Sequence, residues 1–289
     1  MHHFKVYKTI LSSDNHMNIY RGCTHGCIYC DSRSRCYKMD HNFEDIEVKA
    51  HALDILDAQL SRRKKPAVIS TGAMGDPYIP LEESLQLTRG CLELIARHRF
   101  ALAIQTKSSR ILRDLDILKD IHNRTKCVVQ MTMTTYDESL CRVIEPLTST
   151  TYERYRVLKV MGEAGIPTVV WLSPFLPFIN DTPENVWGLL DYCIRARVHG
   201  IICFGFGVTL REGNREYFYS QLDRWFPGMK ERYKSCFGSS YICTSNHHAQ
   251  LMHILQKACR RHNILLGTHT VFSYLRQFET SLSQGQLFP

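Results

Sequence analysis

Residues 18–37 read NIYRGCTHGCIYCDSRSRCY and place Cys23, Cys27 and Cys30 at C-x3-C-x2-C spacing. Three thiolates on one short loop can close on a single soft metal centre, for which iron–sulfur clusters and zinc are the usual occupants. The number of ligands matters. A 4Fe-4S cluster held by three cysteines keeps one iron without a protein ligand, and an open iron can bind and activate a small molecule. Gly22 and Gly26 permit the tight backbone that wraps a cluster, with amides turned towards sulfide, and Tyr29 supplies an aromatic wall beside the third cysteine. The alternative is structural zinc: with Cys36 as fourth ligand, C-x3-C-x2-C-x5-C forms the closed four-cysteine set.

The pattern C-x3-C-x-aromatic-C, following a short extended run at 16–20, resembles the signature of the radical S-adenosylmethionine (SAM) superfamily. The resemblance implies a 4Fe-4S cluster on Cys23, Cys27 and Cys30, with the amino and carboxylate groups of SAM on its open iron. It also implies that an electron from the cluster cleaves SAM to a 5′-deoxyadenosyl radical, with a reductant such as flavodoxin or ferredoxin supplying that electron.

A length of 289 residues accommodates a single α/β barrel, which takes about 250. With 44% hydrophobic and 22% charged residues and no low-complexity tract, the composition is that of a globular protein and excludes disordered and fibrous classes. The N-terminal MHHFKVYKTILSS lacks the apolar core of a signal peptide, and no stretch approaches the ~18 apolar residues that span a bilayer. A soluble, cytoplasmic chain without a membrane partner is therefore expected. Twelve cysteines scattered through apolar runs fit reduced thiols in a cytosol better than a disulfide framework. The net charge of +8 permits a nucleic-acid partner without requiring one. Oligomeric state is not legible.

Beyond the cysteines the chain runs in a βα rhythm. Strands are expected at 67–71, 100–106, 126–133, 168–172 and 200–204, besides the run before Cys23, and helices at 44–60, 82–98, 108–122, 136–145, 150–164 and 183–197. Repeats near the ~30 residues of a βαβ unit imply parallel strands with right-handed crossovers, buried under helices. Six units are too few for a closed eight-fold barrel. They fit the partial (β/α)6 TIM-like barrel of the radical SAM family, placed here at residues 1–207. Residues 208–289, with helices expected at 213–226, 246–262 and 270–279, form a helical C-terminal extension capping the barrel. Ten Lys/Arg against five Asp/Glu from Gly205 onwards read as a solvated face of that extension.

In α/β barrels the site lies at the C-terminal ends of the strands. The second strand ends in Thr71 and Gly72 and leads to Asp76, whose carboxylate can meet the SAM amino group. The third ends in Gln105, Thr106, Lys107 and Ser108; Lys107 can pair with the SAM carboxylate, and Ser108 can cap the following helix. Gln130, Thr132 and Thr134 share one face of the fourth strand and point into the barrel. The fifth leads to Ser173, Asn180 and Asp181, and the sixth to Gly205, Phe206 and Gly207, where small residues allow an adenine ring to approach.

The ordered set YRGCTHGCIYC, TGAMGDPY, TKSSRILRDLDIL, MTMTTYDE, IEP and AGIPTVVWLSPFLPFIND, over residues 18–207, is similar to the spore photoproduct lyase-like branch of the superfamily. That similarity carries over Cys23, Cys27 and Cys30 as cluster ligands, and Thr71, Gly72, Asp76, Thr106, Lys107, Ser108, Ser173 and Asn180 as SAM-pocket positions. It implies a lyase-like DNA repair reaction with a cysteine hydrogen donor, for which Cys141, and less so Cys203, are the candidates. Modification of RNA, a peptide or a metabolite is the alternative within enzymes; a non-catalytic zinc or iron–sulfur nucleic-acid binder is the alternative outside them. His247, His248 and His253 lack an acidic partner and are set aside as a metal patch. Tyr217, Tyr219 and Trp225 with Arg215 and Arg224 suit base stacking or helix packing equally.

Overall fold

The computed structural model describes residues 1–279. Its main sheet holds seven strands: β1 (His16–Met17), β2 (Val68–Thr71), β3 (Ala101–Thr106), β4 (Cys127–Thr132), β5 (Thr168–Trp171), β6 (Gly200–Ile202) and β7 (Leu265–Leu266). They lie side by side in chain order, every neighbouring pair parallel, with β1 and β7 as the two edges. Spatial order equal to chain order is what repeated same-handed βα crossovers produce. The architecture is the open, partial TIM-like barrel expected.

Side-chain alternation along these strands separates two cores. On the outer face Ile69, Leu102, Ile104, Val129, Val170 and Ile201 pack under the helices α1 (Ala52–Ser61), α2 (Leu87–Arg97), α3 (Leu115–Arg124), α4 (Thr151–Glu163), α5 (Pro183–Arg195) and α6 (His248–Arg261). The inner face presents Val68, Ala101, Ala103, Val128, Val169 and Ile202, and a half-barrel cannot fill that concavity from its own strands. A final helix, α7 (Thr268–Arg276), fills it with Val271 and Leu275. The Lys126 ammonium anchors this helix, donating to the Tyr274 carbonyl at 2.8 Å and pairing with Glu279 at 2.8 Å.

Three expectations need correction. The helix expected at 44–60 begins only at Ala52: Ile46–Ala50 is a strand, because the chain's first strand, His2–Val6, pairs with it in parallel and Tyr20–Arg21 in antiparallel. His51 then turns the chain in a left-handed conformation (φ 55°). The helix expected at 82–98 breaks at Gln86 (φ 49°), because buried Glu82 folds back to accept the Thr88 amide at 3.0 Å at the start of α2. The C-terminal extension is also not purely helical. Gly207–Thr209 pairs antiparallel with Ile242–Thr244 around the helices Asn214–Trp225 and Met229–Phe237, and β7 adds a seventh strand to the barrel sheet. The end of that expected extension, 280–289, lies outside the described residues. Among the described residues no helix is long and apolar enough to cross a membrane.

Candidate active site at the strand ends

The cysteine loop leaves β1 and is held from both sides by backbone hydrogen bonds. Cys23 N–H donates to the Phe43 carbonyl (3.1 Å), Ile28 N–H to Ile144 (3.0 Å) and Leu147 N–H to His25 (3.1 Å). Gly22 is needed where it sits: φ is +94°, and a Cβ there would stand 2.5 Å from the Phe43 oxygen. Beneath the loop lies a buried charge pair, Glu145 and Arg154, 2.6 Å apart with both side chains fully enclosed. The Tyr29 hydroxyl donates to Glu145, while Arg154 also donates to the carbonyls of Ser149 (2.8 Å) and Thr132 (3.0 Å). From the far side Ile28 and Tyr29 pack against Val208, Leu210, Phe218 and Leu222 of the C-terminal segment.

Cys23, Cys27 and Cys30 open into a cavity of about 250 Å³. Tyr29, Gly72, Asp76, Thr106, Lys107, Thr132 and Ser173 line the same cavity, so residues up to 150 positions apart in the chain meet where the strand ends predicted. Lys107 lies 5.9 Å from the centre of the Tyr29 ring. Burial opposes its charge, but neighbouring Cys27 and Glu145 outweigh burial and raise its pKa. Asp76 is the hub of the wall: it accepts from Thr106 Oγ1 (2.7 Å) and the backbone amides of Lys107 (2.7 Å) and Tyr78 (2.8 Å). His25 Nδ1 stands 3.5 Å from the same carboxylate.

Other expected residues stay off the cavity wall. Thr71 is buried at the end of β2, and Ser108 caps the short turn of helix at Ser109–Asp114 by accepting the Arg110 amide at 3.3 Å. Gln130 accepts the Trp171 indole N–H at 2.9 Å one layer below. Asn180 is buried in the loop after β5; its oxygen takes the Leu176 amide (2.6 Å) and its amide donates to the Thr134 carbonyl (2.9 Å). Cys141 is 1% exposed and faces Glu145 and Arg154 at 3.8 Å, so its thiol does not reach the cavity. Cys203 does not line it either, nor do Gly205, Phe206 and Gly207: His248 packs on Gly205, Phe175 on Phe206, and the Cys243–Thr244 backbone on Gly207. Of the C-terminal rings, Tyr219 is buried and Tyr217 lies under the Arg33 guanidinium at 3.7 Å, so both serve packing.

Sequence reasoning missed His25, Met74, Val208 and Thr209 on the cavity wall. His25 stands between two cysteines and was legible as such. Val208 and Thr209 were not: they arrive on the hairpin strand that follows the last recognisable βα repeat.

The donor set fits an iron–sulfur cluster better than zinc. Cys36, the fourth ligand a closed zinc site would need, is exposed, and its sulfur sits 3.4 Å from Arg211 Nη1, outside the cavity. Burial, with the Asp76 charge second, pushes the Cys23 thiol up to about 12; burial likewise raises Cys27, with Lys107 opposing it. Buried thiols of this kind ionise when a metal takes them.

Gly72 offers a direct check on the wall. With φ at +99° and a hypothetical Cβ 1.9 Å from the Gln105 carbonyl, Gly72→Ala must strain the backbone and push β3. The backbone part alone costs about 1–3 kcal/mol. Urea denaturation should show a larger loss than for Gly165→Ala, where φ is +80° but nothing lies within 4 Å; equal losses would mean the wall yields freely.

A protein of Mycobacterium tuberculosis (strain ATCC 25618 / H37Rv), itself uncharacterized, is 28% identical over 227 residues, 76% of this chain and 66% of that protein. The shared stretch is thus just under two thirds of that relative's length. A mutant of spore photoproduct lyase with bound AdoMet and dinucleoside spore photoproduct superposes with a TM-score of 0.58 at 15% identity, over 86% of this chain and 74% of that one. TsrM from Kitasatospora setae, a radical S-adenosylmethionine methyltransferase with cobalamin and a 4Fe-4S cluster bound, gives 0.58 at 16% identity over 88% and 54%. At these identities the likeness is one of fold. Residues 17–193 match the Radical SAM superfamily, and over that majority of its length, cysteine loop included, the chain belongs to this family of enzymes built on a 4Fe-4S cluster and S-adenosylmethionine.

Proposed function

We propose that the protein reductively cleaves SAM at a 4Fe-4S cluster on Cys23, Cys27 and Cys30 and directs the resulting radical at a nucleic-acid substrate, in the manner of a DNA photoproduct lyase. The observation that carries the first half is the convergence of the three cysteines with the ends of β2 to β5 on one cavity. When bound, the cluster supplies an iron on which SAM chelates and the electron that splits it to methionine and the 5′-deoxyadenosyl radical.

The chain's own residues have separate tasks. Lys107, kept protonated beside Cys27 and Glu145, offers a positive charge to the SAM carboxylate. Asp76 holds Thr106 and the Lys107 backbone in place and so orients that ammonium. Tyr29 and the packed Val208 and Leu210 shield the loop from water.

The substrate half is supported by the inner face of the barrel. Trp171 lies directly beside the cavity residue Thr132 in the sheet register. Its ring is 5.7 Å from Phe204, which is 62% exposed, and Gln130 and Gln105 place amides alongside. Aromatic faces flanked by amides suit a flat, hydrogen-bonding base. A lone cysteine donor is not part of this proposal, since Cys141 is walled off.

Anaerobically reconstituted protein, given dithionite and SAM, should release 5′-deoxyadenosine. It should also bind ultraviolet-damaged duplex DNA with an affinity that falls steeply with salt. Trp171→Ala should weaken DNA binding by roughly 10- to 100-fold, since a stacked base is worth ~1–3 kcal/mol, and leave cleavage of SAM in the absence of DNA unchanged. Deoxyadenosine release without DNA affinity at low salt would sink the substrate half alone.

A further inference from the structure

A second cluster of metal-ligating side chains lies on the small sheet at the N-terminus, apart from the cysteine loop. One ligand atom each of His3, His41 and Glu47 falls within 4.8 Å of the others. Glu47 is fully buried on Ile46–Ala50, His3 is on the paired strand His2–Val6, and His41 is on the loop between Tyr37 and that sheet.

The hydrogen bonds around these residues leave a problem that a cation solves. His41 Nδ1 is 3.0 Å from the Asn42 carbonyl and must carry the proton to donate to it. In the neutral ring this makes Nε2 a bare lone pair. That Nε2 sits 3.7 Å from Glu47 Oε2, is buried, and has no hydrogen-bond partner. Two acceptors thus face each other: the Lys5 ammonium reaches Glu47 Oε2 at 3.0 Å, but no donor reaches the imidazole lone pair. His3 is oriented by the Asp45 carboxylate at 3.2 Å from Nδ1, the carboxylate–imidazole arrangement that metal-bound histidines use. With Nδ1 so engaged, Nε2 is the atom His3 has to offer.

Lys5 does approach Glu47, at 3.0 Å, and the Tyr7 hydroxyl donates to the other carboxylate oxygen. The Lys5 ammonium has an alternative partner in Asp40, at 3.6 Å, and its side chain is 44% exposed, so it can leave when a dication arrives.

We infer that His3, His41 and Glu47 bind one divalent first-row transition metal, with water completing the sphere. Two imidazoles and a carboxylate suit zinc, and ferrous iron uses the same set. The ion ties strand His2–Val6 to the loop at 38–45. Phe43 of that loop accepts the Cys23 amide, so the metal stiffens the base of the cysteine loop from outside.

The test uses the full chain. The triple variant Cys23→Ala/Cys27→Ala/Cys30→Ala, stripped with chelator and then offered zinc, should retain about one zinc per chain after desalting. Adding His41→Ala should lower this at least tenfold with an unchanged circular dichroism spectrum, and adding Glu47→Gln should do the same. Cobalt(II) should give visible ligand-field bands without thiolate charge transfer. Ferrous iron in the same protocol separates the two metals. Retention that is unaffected by His41→Ala, cobalt spectra with thiolate character, or no retained metal of either kind would each overturn the inference. None of these readouts depends on the cluster or on SAM cleavage, so the reading of the main site stands or falls separately.

Discussion

Alanine at any one of Cys23, Cys27 or Cys30 should reduce the iron and sulfide bound after anaerobic reconstitution to background and abolish 5′-deoxyadenosine formation, whereas Cys36→Ala should leave both at wild-type levels. The three line one cavity, and burial raises the pKa of the Cys23 and Cys27 thiols, so those two ionise when metal takes the proton's place. Cys36 is exposed beside Arg211, outside that cavity. The two sets of variants therefore separate a three-cysteine cubane from a four-cysteine zinc site on metal content alone. Zinc at one per chain, lost equally in all four variants, would remove the basis of the proposed chemistry.

The second large effect concerns Glu145 and Arg154. Removing one partner of a fully buried ion pair leaves the other charge without compensation, which costs about 3–5 kcal/mol, a large share of the ~5–15 kcal/mol that hold a domain together. Arg154→Met should cost this much in urea denaturation of the cluster-free protein and also lower cluster incorporation, because Tyr29 and the Ile28–Ile144 contact rest on the same layer. The double variant Glu145→Leu/Arg154→Met should be less destabilised than either single change, since it leaves no orphan charge. Costs that simply add would refute the pairing. The pH dependence follows in sign. Burial raises the Glu145 pKa, but Arg154, Lys107 and Tyr29 outweigh it, so the net shift is downward. Its contribution is present above the unfolded-state carboxylate value and is lost only as the pH falls through the lower folded value.

Much of this site was legible because each strand end carries its polar residues within a few positions of an apolar run, as at Gln105–Thr106–Lys107 after FALAI. Alternation of period two then places Thr132 inward without any structure. Asn180 and Ser108 were harder. Both are polar residues in loops beside the site, and only the fold reveals that their hydrogen-bonding atoms are already committed to Leu176, Thr134 and Arg110. The strand Ile46–Ala50 was misread for a different reason: IEVKA alternates apolar and polar residues as a strand does, but it is only five residues long and runs directly into the apolar stripe of α1, and its partner His2–Val6 lies more than forty residues away.

The cysteine spacing and the βα rhythm, both local in the chain, were enough to read the family and an open parallel barrel and to single out Cys23, Cys27 and Cys30 as the candidate ligands, because metal ligation by a short loop and the βαβ repeat depend on neighbours in sequence. What fills the hollow of that barrel was decided only in three dimensions. Helix α7 enters the inner face because a half-closed sheet leaves apolar surface that no strand covers. The hydrogen bond from Tyr29 to the Glu145–Arg154 pair under the loop, the hairpin residues Val208 and Thr209 on the cavity wall and the approach of His3 to His41 and Glu47 likewise join residues far apart in the chain, and charge pairing and burial depend on distance in space.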